Sequence, residues 1–237
     1  MTNQEKTPYI VGSKSFTAVA INTAAIAGEW IKSKVGDFSS VTNKYSLHDL
    51  VTEVDKGAEL MIRNLLQTHF PLHSFLGEEG VEPGPEASEK ALQEVSDQEF
   101  LWIVDPIDGT TNFVHGFPFF SVSIALAYRG EVIVGVVYDP SHDELFVAEK
   151  GKGAYVKGKR IGVSTEDKLK DSLIATGFPA DHLYALPLNL KGIEAIAPKV
   201  RNIRVLGSAA LHLAYVAAGR LSGFWEIGLN SWDIAAG

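Results

Sequence analysis

The stretch Phe100-Leu101-Trp102-Ile103-Val104-Asp105-Pro106-Ile107-Asp108-Gly109-Thr110-Thr111-Asn112 passes from five apolar residues straight into an acidic and hydroxyl-rich cluster. Phe100 to Val104 has the length and the aromatic and β-branched content of a buried strand. The point where such a strand emerges is where open α/β sheets usually place their sites. Two aspartates three residues apart on a tight turn can converge on hard cations, which prefer oxygen ligands. Pro106 restricts the turn, and Gly109 permits close backbone approach. Thr110 and Thr111 can start a short helix whose free N–H groups face a phosphate. The same residue types also build an Asx-type turn, in which the aspartates cap backbone groups. Taken alone, the segment leaves both readings open.

Downstream, Phe119 to Tyr128 and Glu131 to Tyr138 are β-rich runs separated only by Arg129-Gly130, the mark of a tight hairpin. Glu144 to Glu149 and Ala154 to Lys157 continue the meander across Lys150-Gly151-Lys152-Gly153. Ser172 to Thr176, Ile203 to Leu206 and Phe224 to Ile227 read as short strands, and Ser208 opens a helix through Ala218 that Gly219 closes. Upstream, a helix from about Phe16 to Ile31 places Phe16, Val19, Thr23, Ile26 and Trp30 on one stripe. Gly36 to Ser46 reads as a loop. A second helix is expected from near Asp55 to His69, with Ala58, Met61, Ile62, Leu65 and Leu66 inward and Pro71 beyond its end. Gly80 to Glu99 reads as a solvated excursion with a short helix around Ala91. Helices and a meander, followed by alternating strand and helix, predict a layered α/β or α+β protein.

The 237 residues suffice for one compact domain or two closely joined parts, and 46% hydrophobic with 21% charged residues is the balance of an ordinary globular chain. A formal charge of -8 argues against nonspecific nucleic-acid or anionic-membrane binding, both of which need a basic surface. It leaves phosphorylated substrates open, because bound cations reverse the local sign of a site. With no cysteine, disulfides, thiolate metal sites and cysteine nucleophiles are excluded. Met1 to Pro8 is polar and lacks the apolar core of a signal peptide, and no apolar stretch approaches the roughly 20 residues that cross a bilayer. A cytoplasmic location is expected.

Three further acidic islands stand out. Glu78-Glu79 follows Gly77 after the apolar pair Phe75-Leu76; it suits one inward ligand and one outward carboxylate, or a solvated turn. In Asp49-Leu50-Val51-Thr52-Glu53-Val54-Asp55, Thr52 and Asp55 fit a capping pattern, while Asp55 would also suit the edge of a site. Spacing does not separate the two. Glu226 and Trp232-Asp233 form the third island, where Asp233 is either paired or metal-bound, or caps a helix beginning at Asp233-Ile234-Ala235. The seven histidines show no close zinc spacing; His69 and His73 lie four apart, but Pro71 interrupts any helix that would align them. Gly151-Lys152-Gly153 lacks the complete phosphate-loop pattern.

Taken together and in this order, the islands resemble the inositol monophosphatase family, within the wider lithium-sensitive, magnesium-dependent phosphatase superfamily. The resemblance runs from roughly Phe16 to Gly237, with Gly135 to Pro140, Gly151 to Ala154 and Gly207-Ser208-Ala209-Ala210 as supporting pieces. It implies an α/β (α+β) protein layered as an αβαβα sandwich of the inositol monophosphatase and fructose-1,6-bisphosphatase type. Residues 1–237 would then form one domain, with an α+β part to about residue 165 and an α/β part from about 166. It also implies a homodimer. Glu78, Asp105 and the Ile107 carbonyl resemble ligands of a first Mg2+, and Asp105, Asp108 and Asp233 those of a second, with Asp105 bridging. A third, weaker ion would sit by Glu78 through water.

By the same resemblance Asp55 and Thr110 orient and deprotonate the attacking water, alongside Glu78. The Gly109 and Thr110 amides hold phosphate oxygens, and Ala209, Glu226 and Asp233 meet the substrate. The implied activity is hydrolysis of inositol monophosphate or a related small sugar or polyol phosphate. Fructose 1,6-bisphosphate and NADP(H) are alternative substrates within the same chemistry. A catalytically silent, metal-binding or regulatory relative is a different class of reading, against which every expected acidic ligand is present. The family normally continues past the motif at Trp232-Asp233 with a helix and further strands, whereas this sequence stops at Gly237. The resemblance therefore implies missing C-terminal elements, an uncovered sheet edge and apolar surface, and a weakened second metal site, low activity or dependence on a dimer partner.

Overall fold

The computed structural model describes residues 15–36, 41–43, 50–179 and 183–237. His48, Asp49, His182 and the amino-terminal polar segment lie outside the described residues. The chain opens with α1 (Phe16–Lys32), whose N-cap Ser15 accepts from the Ala18 N–H. Its buried stripe is Val19, Ala20, Thr23, Ala24, Ala27, Gly28 and Ile31, and Ile26, expected inward, is 51% exposed. The stripe is rotated because small residues let the helix backbone approach a sheet closely, where Ile26 would not fit. The expected loop after it contains β1 (Val41–Asn43), paired antiparallel with β2 (Leu50–Thr52). Next, α2 (Glu53–His69) buries Val54, Ala58, Ile62 and Leu66, while Met61 and Leu65 are only partly covered.

After α2 come β3 (Ser74–Gly77), a single 3-10 turn at Glu78–Gly80, and α3 (Pro85–Val95). Then follow β4 (Phe100–Asp108), the short α4 (Thr110–Val114), β5 (Ser121–Tyr128), β6 (Glu131–Asp139), β7 (Glu144–Glu149), β8 (Gly153–Val156) and β9 (Lys159–Arg160). These seven strands form one sheet in the order β3-β4-β5-β6-β7-β8-β9. Only β3 and β4 are parallel; the rest is a meander. At the expected hairpin, Arg129 and Gly130 both have positive φ, 49° and 80°, as the tight turn matched to strand twist requires.

The last third contains β10 (Leu173–Thr176), α5 (Leu186–Ile196), β11 (Asn202–Val205), α6 (Ala209–Ala217), β12 (Gly223–Trp225) and α7 (Ser231–Ile234). The strands make a parallel sheet in the order β11-β10-β12.

Alternation along the strands sets the layers. One face of the large sheet, with Trp102, Val104, Ile124 and Val136, packs on α1 and α2. The other face, with Leu101, Ile103, Ala125 and Val137, meets α3, α7 and α6. On β12, Phe224 faces His212 of α6, and the next residue, Trp225, faces Gly192 of α5. The order is therefore α1/α2, large sheet, α3/α6/α7, small sheet, α5, a five-layer αβαβα sandwich. No helix among the described residues is long and apolar enough to cross a membrane.

Candidate active site

The acidic segment is not a tight turn. It remains in β4 as far as Asp108, with a bulge between Asp105 and Asp108 against β5. Asp105 pairs with Ser123 and Asp108 with Ser121. In a regular strand, residues three apart point to opposite faces. Here three steps on β4 match two on β5, so the extra residue returns Asp108 to the face of Asp105. The turn itself falls at Gly109, whose φ of 98° is one that side chains rarely adopt. A Cβ there would also lie 2.9 Å from the Gly207 carbonyl oxygen.

Each acid is anchored by backbone or hydroxyl donors. Asp105 Oδ1 accepts from the Ile107 N–H at 3.0 Å, the Asx-type contact that the sequence left open. Asp55 and Thr52 form a capping box: Asp55 Oδ2 accepts from the Thr52 N–H at 2.8 Å and its hydroxyl at 2.6 Å. The other oxygen, Oδ1, lies 3.1 Å from Thr110 Oγ1, which also reaches the Ile107 carbonyl at 3.0 Å. Asp108 sits at the start of α6, where it accepts from the Ala209 and Ala210 N–H groups at 3.0 and 2.9 Å and from the Ser208 and Ser121 hydroxyls. Asp233 is the third residue of α7, not its cap. The cap is Asn230, whose N–H donates to Asp233 Oδ2 at 2.6 Å.

Two pairings bring the islands together. Parallel register sets Gly77 beside Val104, so the next residues, Glu78 just past β3 and Asp105 within β4, are neighbours. Likewise Thr176 is registered with Trp225, so Gly177 and Glu226 are neighbours at the ends of β10 and β12. Glu226 lies so close over Gly177 that a Cβ on the glycine would collide with its carboxylate. Glu78, Asp105, Ile107, Asp108, Gly109, Thr110, Ala209, Glu226 and Asp233 all line one cleft of about 630 Å³. Asp55 stands one hydrogen bond behind it, through Thr110. The Ala209 N–H is engaged by Asp108 rather than presented to the cleft.

The described residues of this lining include six carboxylates, with Glu82 the sixth, one imidazole, His115, and no lysine or arginine. Burial, reinforced by the charges of Glu78, Asp108 and Asp233, raises the Asp105 pKa well above the carboxylate range. Burial raises Asp108 to about 6 against the opposing effect of its hydrogen bonds. Glu226 is pushed up to about 8 by burial first and the charge of Asp108 second. Among the described residues, no three acidic or imidazole side chains stand close enough around one point to grip an ion as they are. Asp108 and Asp233 are turned into their helix starts. The expected donor set nevertheless fits a hard divalent cation: it is all oxygen, and such a charge would relieve the repulsion that adds to burial in raising Asp105.

Sequence reading did not single out Ser121 or Glu59. Ser121 reaches Asp108 only through strand register, and Glu59 is 6% exposed on α2. Asn112, inside the motif but without an assigned role, donates to the Phe119 and Leu206 carbonyls, both at 2.6 Å, and so ties α4 to the loop before α6. His212 carries no site chemistry: it is fully buried, and burial lowers its pKa to about 4.

Residues 13–237 match the model of the inositol monophosphatase family. Inositol monophosphatase 2 of Solanum lycopersicum is 45% identical over 226 residues, spanning 94% of this chain and 83% of the relative. The Nus factor SuhB of Pseudomonas aeruginosa is 40% identical over 224 residues, 92% of this chain and 79% of that protein. The crystal structure of the extragenic suppressor protein suhB from Bartonella henselae superposes with a TM-score of 0.81 at 43% identity, covering 92% of this chain and 80% of that one. With the five-layer fold and the acid-lined cleft at the joint of its two sheets, these matches show that the chain belongs to the inositol monophosphatase family.

Proposed function

We propose that this chain hydrolyses small phosphate monoesters of the inositol monophosphate or related polyol type, with two or three Mg2+ ions in the cleft. The observation that carries this reading is the Thr110 hydroxyl held between Asp55 and the Ile107 carbonyl, beside a carboxylate wall with no lysine or arginine among its described residues. Glu78, Asp105 and the Ile107 carbonyl would hold one ion, and Asp105, Asp108 and Asp233 a second. Held there, such ions would supply a lowered pKa for bound water and countercharge for the phosphate and the leaving alkoxide.

The chain's own residues handle the proton and the substrate. Asp55 Oδ2 is occupied by Thr52, so its Oδ1 is the oxygen that can take the Thr110 proton. Thr110 Oγ1 can then accept a proton from water, and Glu78 borders the same space. The Gly109 and Thr110 amides, at the start of a helix that no side chain caps, would receive phosphate oxygens. Glu226 would meet a hydroxyl of the alcohol part, and the Ala209 amide would do so by exchanging its bond to Asp108. With no lysine or arginine among the described lining, a second phosphate far from the ions would be repelled. This favours a monophosphate over fructose 1,6-bisphosphate or NADP(H). A cytoplasmic homodimer belongs to the same reading.

A second reading, a regulatory protein without turnover, is favoured by one observation: the Pseudomonas aeruginosa relative is named a Nus factor. Phosphate release from a substrate panel, with and without Mg2+ and Li+, separates the two. Mg2+-dependent, Li+-inhibited release from inositol monophosphate is expected. Asp105→Asn should lose that release while near-UV circular dichroism stays unchanged. Full activity in Asp105→Asn would remove the proposed metal site, and tight metal binding without turnover on any substrate would favour the regulatory reading.

A further inference from the structure

Glu59 is a buried carboxylate on α2, one helical turn beyond Asp55, that neither fold nor catalysis has so far explained. Its two oxygens have distinct partners. Oε1 pairs with Arg63 at 3.1 Å, and Oε2 accepts from the Glu79 N–H at 2.7 Å. Glu79 lies in the 3-10 turn Glu78–Gly80, whose N-cap is Gly77 and therefore offers no side-chain cap of its own. The missing cap comes from α2 instead. A Cβ on Gly77 would lie 2.3 Å from Glu59 Oε2, so the close approach needs a glycine there. Arg63 in turn lies 4.1 Å over the Phe75 ring of β3, which ties the charge pair to the strand that ends at the turn.

With both oxygens engaged, Glu59 is placed to hold the turn rather than to ligate. We propose that Glu59 is a positioning residue: it caps the Glu78–Gly80 turn from α2 and thereby sets where Glu78 stands beside Asp105. One helix then carries both supports of the site, Asp55 toward Thr110 and Glu59 toward Glu78. This role rests on the metal-dependent reading above.

The test compares two conservative variants of the full chain, Glu59→Gln and Glu59→Asp. Glutamine keeps an oxygen at the same reach but loses the charge, whereas aspartate keeps the charge but is one methylene too short for the Glu79 N–H. Mn2+ affinity is read by electron paramagnetic resonance, beside thermal melting and the Mg2+ dependence of turnover. Glu59→Asp is expected to bind Mn2+ about 10-fold more weakly, as loss of a support behind a ligand typically does, and Glu59→Gln to stay within about threefold. Excess Mg2+ should restore most of the turnover of Glu59→Asp. Unchanged affinity in folded Glu59→Asp, or weaker binding in Glu59→Gln than in Glu59→Asp, overturns the role. A parent chain that binds no divalent cation overturns the metal-dependent reading and this role together.

Discussion

Asp55, Asp105, Asp108 and Asp233 each spend carboxylate oxygens on backbone N–H groups at the start of a helix or in the bulge of β4. A structural role and the proposed catalytic one are compatible here, because the bonds that cap the backbone also fix the carboxylate. Asp55 shows the division most clearly, with one oxygen given to Thr52 and the other facing Thr110. Thr110→Val keeps the shape of the side chain and removes the hydroxyl of the proposed relay. Its kcat should fall by about 10²–10⁴-fold, in the range of lost general acid–base catalysis, while Thr110→Ser keeps most of it. A Thr110→Val variant with near-parental kcat would take Thr110 out of the proposed proton path. The motif and the Thr52–Asp55 cap were legible because they are local patterns of residue type. Glu59 was not, since its pairing with Arg63 is an ordinary i,i+4 contact, and the partners that tie it to the site, Glu79 and the space over Gly77, are brought to it by packing.

Among the elements, α6 bears most directly on the site, because its first turn holds Asp108. Ser208 both donates to Asp108 and accepts from the Leu211 N–H at 3.3 Å. Replacing this cap in Ser208→Ala should cost about 1 kcal/mol, read as a lower urea midpoint at unchanged slope. The same change removes a bond that lowers the Asp108 pKa, so that carboxyl should titrate higher still. A parental midpoint would mean that the cap adds nothing to stability. The meander was readable from its apolar runs and turn residues, and α2 and α6 from caps and periodicity. The bulge in β4 was not, since it is defined only by what β5 places opposite it. Nor was α5: Leu186-Pro187-Leu188-Asn189-Leu190 alternates like a strand, yet proline is accommodated in a helix's first turn.

For the whole molecule, the cleft concentrates carboxylates where α4, α6 and α7 begin, and the positive ends of these helices offset part of their charge. Burial of these carboxyls, together with the remaining repulsion, makes stability depend on pH and on metal. A carboxyl whose folded pKa is raised binds its proton more tightly folded than unfolded. Glu226 therefore contributes stability that is fully present below its ordinary value of 4.5 and is lost as pH rises through about 8. The metal-free chain should lose stability across this window, and Glu226→Gln should flatten the slope; an equal slope in both would exclude Glu226 as its source. Mg2+ at 100 times its dissociation constant should raise the parental Tm by roughly 5–10 °C. Asp105→Asn should show little of that rise, and an equal rise in both would place the ion elsewhere.

The sequence by itself determined the acids, their order along the chain and the local turns, caps and strands that carry them, because those depend on residue type at short spacing. Tertiary structure alone decided that Glu78 stands beside Asp105, that α6 docks its N–H groups onto Asp108, and that Glu226 lies over Gly177. These are contacts between distant segments, set by strand register and by how closely helices and sheets can pack. The segment from Asp105 to Asn112 names the chemistry, but only the packed layers around it make a site.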